Sequence, residues 1–151
     1  MRSMNADTPE ALEVCKLFER RVPVIASGVV IIRGAVRDPG SRTVMAVATT
    51  DPATDAVGSC VGMRGAIVKG IVANLGEERI DIVLWDDSPK RFVRNLFAPL
   101  QFLSVSFDET SHQAIAVLKA DSALPSSQIV ALKTRLLRQL TGWVLQFEIE
   151  H

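Results

Sequence analysis

The sharpest chemical signal in the chain is Gly62-Met63-Arg64-Gly65, two glycines with two residues between them. With no Cβ at either end, the backbone can come close to a ligand. Apolar residues on both sides predict a helix–helix junction, with the second helix opening near Ala66. Its unpaired N–H groups and positive dipole end would then meet an incoming phosphate. Arg64 puts a cation between the glycines, and Lys69 follows about one turn later on the polar face. The tetrapeptide alone is equally the corner of a plain helix–turn–helix. A second basic group, Arg33, Arg37 and Arg42, flanks the turn Asp38-Pro39-Gly40-Ser41, with only Asp38 nearby to offset it. These arginines read either as phosphate contacts or as a solvated strand face.

Other chemistries find little support. His112 falls in a predicted surface turn beside Thr110 and Ser111, and His151 is the final residue. Two isolated histidines and two distant cysteines, Cys15 and Cys60, give no zinc spacing, no CxxC and no disulfide framework. Asp51 and Asp55 share a loop without the further oxygen ligands of a calcium site. No Ser–His–Asp order, paired carboxylates or Walker glycine run is present. The expectation is a protein that is not an enzyme, with no catalytic residue, metal or cofactor. Aromatics make up 5% with no Tyr, so base stacking is poorly supplied.

The elements that must position these residues follow from apolar period. Asp7-Thr8-Pro9 opens a helix to Arg21, with Leu12, Cys15, Leu17 and Phe18 roughly on one face. Gly28–Arg37 and Arg42–Thr50 predict a hairpin in which Val30, Ile32 and Val36 share one face and Arg33 and Arg37 the other. A short helical turn at Ala56–Cys60 leads to a helix striped by Ile67, Val68, Ile71, Val72 and Leu75 and stopped by Gly76. Arg79–Trp85 alternates as a strand. The order then restarts: a helix at Lys90–Ala98, strands at Gln101–Phe107 and Gln113–Lys119, a helix at Pro125–Leu140 and a strand at Trp143–Glu150. Helix–strand–strand–helix–strand thus occurs twice, the closing helix–strand pair shifted by about 65 residues. The expected division is 1–86 and 87–151.

Composition sets outer bounds. At 151 residues, 48% hydrophobic and 23% charged, the chain can bury a core. Seventeen basic residues balance seventeen acidic ones, which argues against indiscriminate polyanion binding but not against a local basic patch. The longest run without a charge, Asn95–Phe107, is too short to span a membrane, and the N-terminus has no apolar core of secretory type. A cytoplasmic protein without membrane contact is expected.

Residues 18–98 resemble the first KH domain of the NusA transcription factors. The resemblance runs through FERRVPVIASGVVIIRGAVRDPGSRTVMAVATTDPATDAVGSCVGMRG and IVANLGEERIDIVLWDDSPKRFVRNLFAPL. Its landmarks are the D-P-G-S-R-T turn, the D-P-x-x-D-x-V-G-x-C-V-G-x-x-G run and the E-x-I-D-I-V-x-W strand. It implies an α+β chain of two tandem type II KH domains, each a three-stranded sheet packed against helices. The first would clamp single-stranded RNA through Gly62, Met63, Arg64, Gly65, Ala66 and Lys69, with Arg33, Arg37 and Arg42 nearby, and would bury Cys60 in a helix. The second half matches as another KH domain, but aligning Leu140-Thr141-Gly142-Trp143 puts Gln128-Ile129-Val130-Ala131 where its glycines should stand. That clamp reads as lost, leaving Lys133, Arg135 and Arg138 as a weaker basic platform. About 20 residues precede the first KH region, too few for a polymerase-binding or OB-fold domain. The layout is therefore similar to archaeal-type NusA relatives. The resemblance implies an RNA-binding regulator of transcription elongation, termination or antitermination, with RNA polymerase or other transcription factors as further partners. The alternative is a KH-fold module that docks polymerase or ribosome-associated factors without strong RNA binding of its own.

Overall fold

The computed structural model describes residues 6–150, and His151 and residues 1–5 lie outside it. The chain divides into two compact units between Trp85 and Asp86. In the first, α1 (Pro9–Arg21) starts where its signals stand. The Thr8 hydroxyl accepts the Ala11 N–H at 3.1 Å, Pro9 takes the first turn, and Arg20 and Arg21 complement the dipole at the last. A four-residue α2 (Pro23–Ala26), absent from the sequence reading, follows. Then come β1 (Val30–Asp38), β2 (Arg42–Thr49), α3 (Ala56–Val61), α4 (Ala66–Asn74) and β3 (Arg79–Leu84). β1 and β2 form an antiparallel hairpin, and β3 lies parallel on β2, so the sheet order is β1-β2-β3. That parallel step needs a crossover, which α3 and α4 provide.

The core gathers Val14, Cys15 and Phe18 of α1, Val30, Ile32 and Ala35 of β1, Met45 and Val47 of β2, Cys60 of α3 and Ile71 of α4. Two expectations change. The buried stripe of α1 is Ala11, Val14, Cys15 and Phe18, while Leu12 and Leu17 flank it half-buried. A β-bulge also interrupts β1: Ile32 pairs with Val47 but Gly34 with Ala46, leaving Arg33 as the extra residue. The bulge inverts the parity beyond it. Ala35, opposite Met45, joins the core face; Val36 moves to the other face, and Arg37, opposite Thr43, turns toward the helices. Arg33 and Arg37 therefore do not share a face.

Residues 56–74 have the length and apolar composition of a membrane-crossing helix. They do not form one continuous rod, because left-handed backbone at Gly62, Arg64 and Gly65 breaks the run between α3 and α4.

The second unit repeats the connection: α5 (Pro89–Phe97), β4 (Phe102–Asp108), β5 (Gln113–Leu118), α6 (Ser127–Thr141) and β6 (Val144–Ile149). Its sheet order is β4-β5-β6, antiparallel then parallel, with a register shift between Phe102 and Ser104 in its first strand. Phe97, Phe102 and Phe147 meet at centroid distances of 5.1–6.4 Å and join α5 to the sheet. α6 starts later than Pro125, because the Ser126 hydroxyl caps it by accepting the Ile129 N–H at 3.3 Å.

Candidate nucleic-acid interface

The loop at 62–65 is held from both sides. Asp55 caps α3 by accepting the Gly58 N–H at 2.9 Å, and a side chain at Gly58 would overlap that carboxylate. After α3 the backbone turns left-handed, at φ +81° in Gly62, +55° in Arg64 and +75° in Gly65. The Gly65 N–H donates to the Gly62 carbonyl at 3.0 Å and closes a single 3₁₀ turn, Met63–Gly65. Met63 is 86% exposed, and Arg64 and Ala66 are exposed beside it. α4 opens with no side-chain cap and no acid in its first turn. Lys69 runs back over Gly65: a Cβ there would lie 3.3 Å from Lys69 Cε and 3.8 Å from its Nζ. Gly62, Met63, Arg64, Gly65, Ala66 and Lys69 are thus brought together, two cations at an uncapped helix start. An anion is the ligand this arrangement suits.

The three hairpin arginines do not form a patch. Arg37 donates from Nε and Nη2 to both carboxylate oxygens of Glu78, at 2.8 and 2.9 Å, and from Nη1 to Glu13 and the Glu10 carbonyl. Its side chain is 10% exposed and that of Glu78 is 1%. Glu78 also accepts the Gly40 N–H at 2.8 Å and the Thr43 hydroxyl at 3.3 Å. Burial pushes the Glu78 carboxyl upward, but the Arg37 and Gly40 hydrogen bonds outweigh it and hold it below the usual carboxylate range; the Glu78 bonds raise Arg37 in turn. Arg42 pairs with Asp81 at 2.7 Å. The expectation that Asp38 alone offsets these arginines is therefore corrected: the fold supplies Glu78, Glu13 and Asp81. Arg33 alone of the three is exposed, its guanidinium 4.7 Å above the Trp85 ring. Glu78 escaped the sequence reading, since its partners lie 35–41 residues away. The one local hint is its place between a glycine turn and a strand.

In the second unit, Gln128-Ile129-Val130-Ala131 belongs to the opening turns of α6, and none of the four is left-handed. Lys133 is corrected as a platform residue. It is 9% exposed, with its ammonium 5.7 Å over the Phe97 ring. Arg135 and Arg138 are exposed. Burial pushes the Cys15 thiol up to about 12 and the Cys60 thiol up to about 11, as befits core residues. Asp51 is engaged by the Ala53 N–H and the Thr54 hydroxyl, and no group of three metal-ligating side chains occurs among the described residues. His112 stacks on Trp143 at 5.1 Å.

The family model of the NusA-like first KH domain matches residues 8–85, nearly the whole first unit. The chain belongs to the NusA family. It is 35% identical over 132 residues to the transcription termination/antitermination protein NusA of Thermus thermophilus, covering 87% of this chain and 34% of that protein. Against the NusA protein of Rickettsia conorii it is 37% identical over 138 residues, covering 89% and 27%. The chain thus spans about a third or less of these NusA relatives. The solved structure of APE1850 shares the fold, with a TM-score of 0.66 at 19% identity over 95% of this chain and 99% of that one. The Asp55, Gly58, Cys60, Gly62 and Gly65 positions that carry the NusA resemblance are those that cap α3, fill the core and turn the loop.

Proposed function

We propose that this chain is a non-enzymatic, cytoplasmic, single-stranded RNA-binding protein of the NusA type, serving transcription elongation, termination or antitermination. It is built as two tandem type II KH domains, 1–86 and 87–151. The first holds the RNA backbone through Gly62, Met63, Arg64, Gly65, Ala66 and Lys69, with Arg33 able to reach a further phosphate. The second has lost its glycine clamp. RNA polymerase is the expected protein partner, and no cofactor takes part.

The observation that carries this reading is the loop itself. Two glycines in left-handed backbone lift Met63 and Arg64 out of the fold at an uncapped helix start, and Lys69 folds back over the second glycine. A corner serving only to join two helices has no need to expose a methionine and gather two cations. Arg37 and Arg42 drop out of the interface because their charges are already paired.

The test is ultraviolet crosslinking in cells, with RNA sequenced and polymerase scored in the same extract. Wild type should yield RNA and polymerase, and a Met63→Asp/Arg64→Asp variant should lose the RNA. Polymerase recovered by both proteins with RNA recovered by neither would make the chain a protein-docking module instead.

A further inference from the structure

Charge in the second unit is sorted by element, with Lys119 in the loop after β5 the one exception. α5 and α6 carry Lys90, Arg91, Arg94, Lys133, Arg135 and Arg138 and no acidic residue, while every carboxylate of the unit lies on a strand or a loop. In α1, by contrast, Glu10, Glu13 and Glu19 mix with Lys16, Arg20 and Arg21. Amphipathicity calls for a polar outer face but does not dictate its sign. The pattern even works against α5. Lys90 and Arg91 sit in its first turn, where the helix dipole disfavours cations, and Lys90 faces Arg94 one turn on.

Packing makes the two helices one layer. Phe92, Val93, Leu96 and Phe97 of α5 and Leu132, Leu136 and Leu137 of α6 are buried, and the Lys133 ammonium of α6 lies over Phe97 of α5. Of the remaining cations, Arg91 pairs with Asp86 at 3.1 Å, whereas Lys90, Arg94 and Arg138 have no ion pair among the described residues. α6 has no aromatic residue and those of α5, Phe92 and Phe97, are buried, so the outer surface of these helices offers no ring for a base.

We propose that the helical layer of the second unit is a sequence-independent contact surface for the phosphate backbone of single-stranded RNA, taking the place of the glycine loop that α6 lacks. It rests on the RNA-binding reading of the chain. A polyanion relieves the like-charge repulsion within the layer, and a surface of cations without stacking rings reads charge rather than base.

The experiment titrates the full chain with U-only and A-only RNA oligonucleotides across a range of salt, comparing wild type, K90Q/R94Q/R138Q and Arg64→Ala. Matching thermal transitions establish that the variants are folded. Each lost phosphate contact removes about 0.7 from the slope of log affinity against log salt for a single strand. The triple variant should therefore flatten the slope by about 2, alike on both oligonucleotides. An unchanged slope in the triple variant, with Arg64→Ala still flattening its own, would overturn the layer and leave the loop standing. A loss confined to one oligonucleotide would overturn it as well, by showing base readout. Wild type that binds neither RNA would sink the first-unit reading and this inference together.

Discussion

A methyl group at Gly62 would sit 2.7 Å from Ile67 Cγ1 and 2.9 Å from its amide nitrogen, on backbone at φ +81°. Gly76 is also left-handed, at +70°, but a side chain there meets nothing within 4 Å. Gly76→Ala should thus cost only the left-handed penalty, about 1–2 kcal/mol. Gly62→Ala adds overlap with α4 and should cost about 3 kcal/mol or more. Urea midpoints of the two variants compare them directly. Glu78 gives a second prediction, in pH. Its folded carboxyl lies below its unfolded value because the Arg37 and Gly40 hydrogen bonds outweigh burial. The stability it contributes is complete above the unfolded value of about 4.3 and fades as pH falls through the lower folded value. Glu78→Gln should lose about 3–5 kcal/mol at neutral pH, by leaving Arg37 short of its buried partner, and should weaken the acid dependence. Equal acid slopes in chemical denaturation of the two proteins would contradict this. Gly62 was legible because a glycine's freedom is a local property. Glu78 was not, because only the fold brings Arg37, Gly40 and Thr43 to it.

At the scale of elements, the sequence spoke through period and caps, and it failed where a single residue upset the period. Thr8-Pro9, Asp55, Ser88 and Gly142 mark helix ends by chemistry that acts within one turn, and the Thr8-Pro9 start was read from the sequence alone. The β1 bulge is different. Alternation assigned faces to Val36 and Arg37, and one unpaired residue at Arg33 exchanged them. Gly34 beside it is the kind of local signal that marks a bulge. α2 was missed because four residues are too few to show a period. α6 carries the prediction at this scale. Gln128→Gly with Ala131→Gly should lower its thermal transition, at a cost of up to about 1 kcal/mol per glycine. RNA affinity should stay the same or rise, since the proposed contacts do not run through those side chains. A clear loss of affinity in the folded variant would show that Gln128 or Ala131 touches RNA.

Over the whole molecule, net charge was the least informative number in the sequence. Seventeen of each sign sum to zero, yet the first unit hides Arg37 and Arg42 in ion pairs while the second carries all its lysines and arginines but Lys119 on helices. The repeated order of elements was legible because each half carries its own apolar stripes and turn signals, and both sheets adopt the same strand order. The pairing of individual charges was not, because it depends on contacts across tens of residues. The central claim, that the 62–65 loop holds an RNA backbone, is tested most directly by titrating single-stranded RNA into wild type and a Met63→Asp/Arg64→Asp variant. Two acids near the start of α4 suit its dipole, so the variant should fold as well as wild type. Its carboxylates would repel phosphate, and affinity should collapse, more at low salt than at high, because repulsion between exposed charges is screened within about 10 Å at 0.1 M. Unchanged affinity in the folded variant would contradict the account.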